Sequence, residues 1–210
     1  MQRTLALIAL TTLTLSAFAQ PSSLSVLSQA DLTGWKKKQF KGETRYTAIR
    51  ANGLAVIKAQ SNGTASGMVR EITVDLTQTP FLNWRWRVDN VLAGNDERSK
   101  AGDDYAARVY VVVSGGLFFW KTRAVNYVWS SNQPLESTWP NAYTHNAQML
   151  AVRSDQVGQW VAEKRNVRDD LRKLFGEDIQ EIHAVAFMTD TDNTGASATA
   201  YYGDIFFSSE

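Results

Sequence analysis

The sequence predicts an all-β fold: an antiparallel two-sheet sandwich, jelly-roll-like, with one short helix near 166–175. Three observations carry that reading. Most segments alternate apolar and polar residues with period two, as half-buried strands do. The alternating runs are separated by Asn-Gly, Gly-Gly and Pro punctuation, the chemistry of tight turns. Only one stretch has a helical period, so strand–helix–strand wiring and its parallel sheet are excluded.

The elements follow in order. Residues 1–19 read as a signal peptide, with Arg3 before an apolar run from Leu5 to Leu15 and small residues at Ala17 and Ala19. Cleavage is expected between Ala19 and Gln20, which makes 20–210 one sandwich domain, periplasmic or secreted. The apolar run falls short of the ~20 residues a membrane-spanning helix needs, and no later segment approaches that length. TRYTAIR (44–50) and GLAVIKA (53–59) flank Asn52-Gly53, which favours positive φ at both turn positions and so predicts a hairpin. Asn62-Gly63 precedes SGMVREITVDL (66–76), and FLNWRWRVD (81–89) follows Pro80. DYAARVYVVVS (104–114) and GLFFWKT (116–122) are joined by Gly115-Gly116 as a second expected hairpin. AVNYVWS (124–130), HNAQMLAVR (145–153), QWVAEK (159–164), EIHAVAFMT (181–189) and TAYYGDIFFS (199–208) complete the strands. In NVRDDLRKLFGE the apolar positions Val167, Leu171, Leu174 and Phe175 make a helical stripe, with Asn166 as N-cap, Asp169 and Asp170 in the first turn and Gly176 as the stop.

Composition limits the chemistry. The chain has 22 basic and 21 acidic side chains and no cysteine. The charge balance gives no footprint for nucleic acid or a membrane surface. Without thiols there are no disulfides, thiol catalysis or thiolate metal sites. Seven tryptophans and seven tyrosines are the anomaly.

Charged residues within the strands direct attention to two of them. In FLNWRWRVD, Leu82, Trp84, Trp86 and Val88 share one face, and Asn83, Arg85, Arg87 and Asp89 the other. In DYAARVYVVV, Tyr105, Ala107, Val109, Val111 and Val113 form the core face, and Asp104, Ala106, Arg108, Tyr110 and Val112 the second. Consecutive strands are usually neighbours, so antiparallel pairing of these two would set Arg85 near Arg108 and Asp89 near Asp104. Like charges opposite one another need neutralising. Either Asp89, Asp103 and Asp104 close an ion-pair lattice, or Arg85, Arg87, Asp104, Arg108 and Tyr110 line an open site for an anionic or polyhydroxyl ligand. The long loops NVLAGNDERSKAG (90–102) and SNQPLESTWPNAYT (131–144) suit a binding rim. In the second, Trp139 and Tyr143 either stack on sugar rings or cover a core edge.

TDTDNTGAS (189–197) begins like an oxygen-ligand calcium loop, with Asp190, Asp192 and Thr194 as ligands. Its twelfth position is Tyr201 rather than an acid, which excludes an EF-hand. No other cofactor is expected. The two histidines, His145 and His183, stand far apart, and no nucleophile-elbow or zinc-helix motif occurs. No strand carries the Glu pair of a retaining sandwich glycosidase. A lyase would need Arg85 or Arg108 with His145 or Tyr110 as base.

The segments GDDYAARVY (102–110), NYVWS (126–130) and TDTDNT…AYYGDI (189–205) resemble domain-of-unknown-function family 3047, a set of exported bacterial proteins. The resemblance covers nearly all of 20–210 and implies an exported sandwich domain in a bacterial envelope, with no activity or site residue to carry over. The closing TAYYGDIFF is similar to the last strand of jelly-roll glycan-binding modules and glycanases, whose E-x-D-x-x-E signature is absent. The expected function is therefore a non-catalytic ligand-binding domain for a carbohydrate or envelope polymer. The alternatives are a lyase-like polysaccharide enzyme and an envelope structural or assembly protein with no small ligand.

Overall fold

The computed structural model describes residues 22–210 apart from 52 and 118, so the expected leader, its cleavage point and Asn52 lie outside the described residues. Two sheets face each other. The first runs β11 (Val161–Asn166), β6 (Phe81–Val88), β13 (Ser197–Ser208), β4 (Leu54–Asn62), β3 (Arg45–Ala51), with β1 (Ser23–Leu27) paired to the far end of β13. The second runs β2 (Lys36–Lys41), β5 (Ala65–Asp75), β12 (Glu181–Asp190), β7 (Ala107–Val113), β8 (Arg123–Trp129), β10 (Ala147–Arg153), β9 (Thr138–Pro140). Among the described residues every pairing is antiparallel except β8 with β10, which is parallel. Among the described residues, no helix is long and apolar enough to cross a membrane.

Alternation decides which side chains meet between the sheets. Trp84 and Trp86 of β6 turn inward, where Trp84 lies 5.3 Å from Tyr127 and Trp86 lies 5.5 Å from Trp129 between ring centroids. Phe187 of β12 packs against Trp35 at 4.9 Å and Tyr202 at 4.6 Å, tilted arrangements that aromatic quadrupoles prefer. Five of the seven tryptophans (35, 84, 86, 129 and 139) are buried, so the aromatic excess mostly fills cores. The β3–β4 hairpin closes with Ala51 opposite Leu54 and Gly53 at φ +80°, the left-handed conformation that the Asn-Gly signal anticipates.

The helix α1 (Val167–Phe175) has the expected ends. The Asn166 side chain accepts from the Asp169 N–H, and Gly176 stops the helix in the left-handed region while its N–H reaches the Arg172 carbonyl. Val167 and Leu171 enter the core.

Several expectations are corrected. The described residues 116, 117 and 119–122 form no strand; a 3-10 turn stands at Phe119–Lys121, and β7 makes its hairpin with β8 instead. Three strands lie outside the expected set: β1, the wholly exposed β2 and the three-residue β9. Most consequentially, β6 and β7 do not pair. β6 lies between β11 and β13 in one sheet, and β7 between β12 and β8 in the other. The segment between them crosses from sheet to sheet, as happens when a sandwich rather than a hairpin is being built.

Truncating the aromatic hub of the core tests this packing. Phe187→Ala should lower the unfolding free energy by about 3–5 kcal/mol, read as an earlier midpoint in urea denaturation.

Candidate functional site

The outer face of the seven-stranded sheet carries a groove of about 500 Å³. Register explains its floor. One row across the sheet reads Lys38, Gly67, Met188, Arg108, Val128; the next reads Lys36, Val69, Ala186, Tyr110, Asn126, Met149. Small residues at Ala65, Gly67, Ala124 and Ala147 leave room above the backbone that larger side chains would fill. Gly67 has a specific duty, because a Cβ there would stand 3.1 Å from the Tyr110 hydroxyl.

One end of the same outer face is covered. Tyr105, Val128, Trp139, Met149 and Ala151 form a second small core beneath the segment 90–106. Tyr105 therefore does not join Val109 and Val111 in the main core as the alternation suggested, because regular strand begins only at Ala107. Glu97 pins the covering segment. Its buried carboxylate accepts from the Ser130 hydroxyl at 2.5 Å and the Ser131 N–H at 2.6 Å, and its carbonyl accepts from Tyr105 and Trp139. Gly102 is needed there as well, since a Cβ would collide with the Asp96 backbone.

Arg108 stands where the floor meets this cover. It donates to Asp190 Oδ2 at 2.6 Å, and its guanidinium lies 5.3 Å from the Tyr105 ring centroid. Burial works against its charge, but Asp190 and Asp103 outweigh that and hold the guanidinium above its ordinary range. Burial pushes the Asp190 carboxyl up, against Arg108, and the neighbouring Asp104 and Asp103 push the same way. Burial also raises Asp103, whose two carboxylate oxygens both accept from the Asn141 amide nitrogen, at 3.1 and 2.9 Å. The Tyr110 hydroxyl is raised by burial too, against Arg108.

The sequence-predicted site residues do not all converge on one place. Arg108, Tyr110 and Tyr143 line the groove, and Tyr143, 57% exposed, holds its hydroxyl 2.7 Å from Asn193 Oδ1. Arg85 and Arg87 are on the other sheet, opposite Ala162 and Tyr201, because β6 belongs there. They share no face with Arg108, which corrects the expected juxtaposition. Arg87 pairs with Asp89 at 2.6 Å, the bland ion-pair resolution. Asp89 is accordingly not near Asp104. Trp139 is 3% exposed and covers a core edge rather than forming a rim. Asp104 is fully buried and turned to the 191–196 loop, accepting from the Asn193 N–H at 3.2 Å and the Thr194 N–H at 2.6 Å.

The expected metal ligands are likewise rearranged. Asp190 and Asp192 come together with Asp104, each offering an oxygen within 4.8 Å of the other two. Thr194 serves this cluster through its backbone N–H, while its hydroxyl accepts from Ala196 at 3.3 Å. Phe40, Asn126, Asn141 and Met188 also line the groove and were not singled out from the sequence. Asn126 and Met188 were readable in principle, since each faces away from a core neighbour in its strand.

The sequence pattern described as Protein of unknown function (DUF3047) matches residues 33–206. No curated protein matches the chain. Among solved structures, the family 30 carbohydrate-binding module of the cellulosomal cellulase Cel9D-Cel44B of Clostridium thermocellum is 14% identical, with a TM-score of 0.52 over 90% of this chain and 98% of that one. Cellulose induced protein Cip1 is 12% identical, with a TM-score of 0.51 over 86% of this chain and 93% of that one. Both likenesses are of fold.

Two outcomes test the site. Arg108→Ala leaves Asp190 buried without its counter-charge and should cost about 3–5 kcal/mol in urea unfolding at neutral pH. The second concerns Glu97, whose carboxyl is raised by burial above its ordinary value of 4.5, against hydrogen bonds from Ser130 and Ser131 that lower it. A raised carboxyl keeps its proton in the folded chain after the unfolded chain has lost it. Its contribution is then full below about pH 4.5 and is lost as pH rises through the raised value. Glu97→Gln cannot titrate, so the fall in unfolding free energy across that window should be shallower in the variant than in the parent.

Proposed function

The chain belongs to the DUF3047 family of proteins of unknown function, and we propose that it is an exported, non-catalytic binding domain whose groove takes a carbohydrate or another envelope polymer. The observation that carries this reading is the groove itself. Its volume of about 500 Å³ falls within the range of roughly 300–1,000 Å³ usual for ligand sites. It has flat apolar surfaces at its flanks and polar groups at its floor. Phe40 is 61% exposed on one side and Tyr143 stands on the other. Between them lies Asn126, whose amide can direct hydrogen bonds at hydroxyl groups while the rings pack on the apolar faces of a sugar. A carbohydrate-binding module built on the same fold supports the idea that such a scaffold can present a glycan groove; the chemistry here rests on this chain's own residues.

Charge narrows the ligand. The lining includes Asp103, Asp190 and Asp192 against Lys41 and Arg108, and Arg108 is already committed to Asp190. An anionic polymer would meet excess carboxylate, so neutral polyhydroxyl ligands fit better than uronates. The same facts weigh against a lyase, which would need a free arginine for the uronate. Burial raises Tyr110, which makes it a poor base at neutral pH. His145, the histidine such a lyase would use, is exposed and is not among the groove's lining residues, although Thr144 and Ala147 to either side of it are.

Calorimetric titration with soluble neutral glucans, mannans and xyloglucan, beside alginate and pectate, tests the reading. Binding to a neutral glycan is expected, with Tyr143→Ala weakening it at least about tenfold. Arg87→Ala, on the other sheet, should leave it unchanged. Absence of binding to every polysaccharide would remove the proposal, and release of unsaturated uronate from alginate or pectate would replace it with the lyase. Export is tested by fractionating cells that express the full chain, with the protein expected outside the cytoplasm.

A further inference from the structure

We propose that Asp104, Asp190 and Asp192 hold a divalent cation with calcium's preferences at one end of the groove. The three come from two places in the chain. Asp104 precedes β7, Asp190 ends β12 and Asp192 begins the following turn, yet an oxygen of each lies within 4.8 Å of the other two. Asp104 is fully buried and Asp190 is 1% exposed. Carboxylates so close repel one another, and burial strengthens the repulsion.

Hydrogen bonds satisfy Asp104, whose two oxygens accept from the Asn193 and Thr194 N–H groups, but they leave Asp190 short. Asp190 Oδ2 takes the Arg108 guanidinium, but Asp190 Oδ1 is buried with no hydrogen-bond partner. A buried carboxylate oxygen without a donor, beside two further carboxylates, is satisfied by a cation. Lys41 does not fill that role, because its ammonium donates at 2.8 Å to the Asp192 carbonyl oxygen. Asp103 adds a fourth carboxylate to the same end of the groove, so Asp190 has three acids near it against the Arg108 guanidinium.

The donor set selects the ion. All three side chains offer hard oxygen, and neither thiolate nor imidazole is among them, which suits calcium or magnesium rather than zinc or copper. Asp192 sits on a turn whose N–H groups at Asn193 and Thr194 also hold Asp104, so the carboxylates are carried by irregular backbone rather than by a symmetric cage. That favours calcium, which accepts six to eight oxygens in irregular geometry. Asp190 and Asp192 also line the groove, so part of the coordination shell faces its interior, open to water or to a hydroxyl of whatever occupies it. The cation site does not depend on the glycan reading, and its test uses the metal alone.

The experiment is calorimetric titration of the full chain, stripped with chelator, with calcium chloride and in parallel with magnesium chloride, together with thermal unfolding. One calcium per chain is expected, with a melting temperature that climbs as calcium rises and weaker binding of magnesium. Asp192→Asn, at the half-buried member, should lower calcium affinity at least about tenfold with an unchanged circular dichroism spectrum. No heat and no thermal shift at millimolar calcium would overturn the proposal, as would magnesium binding tighter than calcium or undiminished affinity in Asp192→Asn. Should that variant misfold, terbium emission sensitised by nearby tyrosine in the parent protein gives a separate reading. Emission displaced by calcium supports the site, and its absence counts against it.

Discussion

The contact between Arg108 and Asp190 decides how the outer face of the seven-stranded sheet is used. Both residues sit on neighbouring central strands, both point away from the core, and both are nearly closed off from water. A lone buried charge at either position would be untenable, so each is what permits the other. With the pair in place the sheet can carry a polar floor at its centre, and the strands on either side can carry alanine and glycine without collapsing onto it.

The two faces of that sheet are built on opposite principles. Inward, β7, β8 and β12 present valine, tyrosine, tryptophan and phenylalanine that interlock with Trp84 and Trp86 of the facing sheet. Outward, the same strands present small or polar residues, and only one end is covered, where Glu97 holds the segment 90–106 over Tyr105 and Trp139. The groove is the uncovered remainder. Its boundaries are therefore set less by the strands than by where one long connection ends.

Much of this was legible in the sequence. WRWR and RVYVVV announced which side chains face inward, because a strand offers only two directions. Asn-Gly at 52–53 announced the first hairpin, and the Val167–Phe175 stripe announced the helix with both caps. Partnership was illegible. A charge pattern on β6 and another on β7 look complementary, but alternation says nothing about which sheet a strand joins, and a long connection can cross between sheets as readily as turn back. That is why Arg85 and Arg87 fell on the wrong side of the molecule, and why Asp104 was read with the arginines instead of with Asp190 and Asp192. The strand β2 was invisible for another reason: KKKQFK lies at a sheet edge with every residue exposed, so it has no buried face to impose a period.

The parallel pairing of β8 beside β10 has a consequence for how this domain can diversify. Parallel neighbours cannot be joined by a tight turn, so the chain leaves β8, forms β9 at the sheet edge and only then returns as β10. The return bend places Asn141, Tyr143 and Thr144 along the groove. Those residues belong to an excursion whose length is not tied to the spacing of any strand pair in the centre of the sheet. Insertions, deletions or wholesale grafts between 141 and 146 can thus reshape what the groove admits while the aromatic interior and the Arg108 pair stay as they are. Selection, or a protein engineer, has a handle on ligand choice that is mechanically separate from foldability.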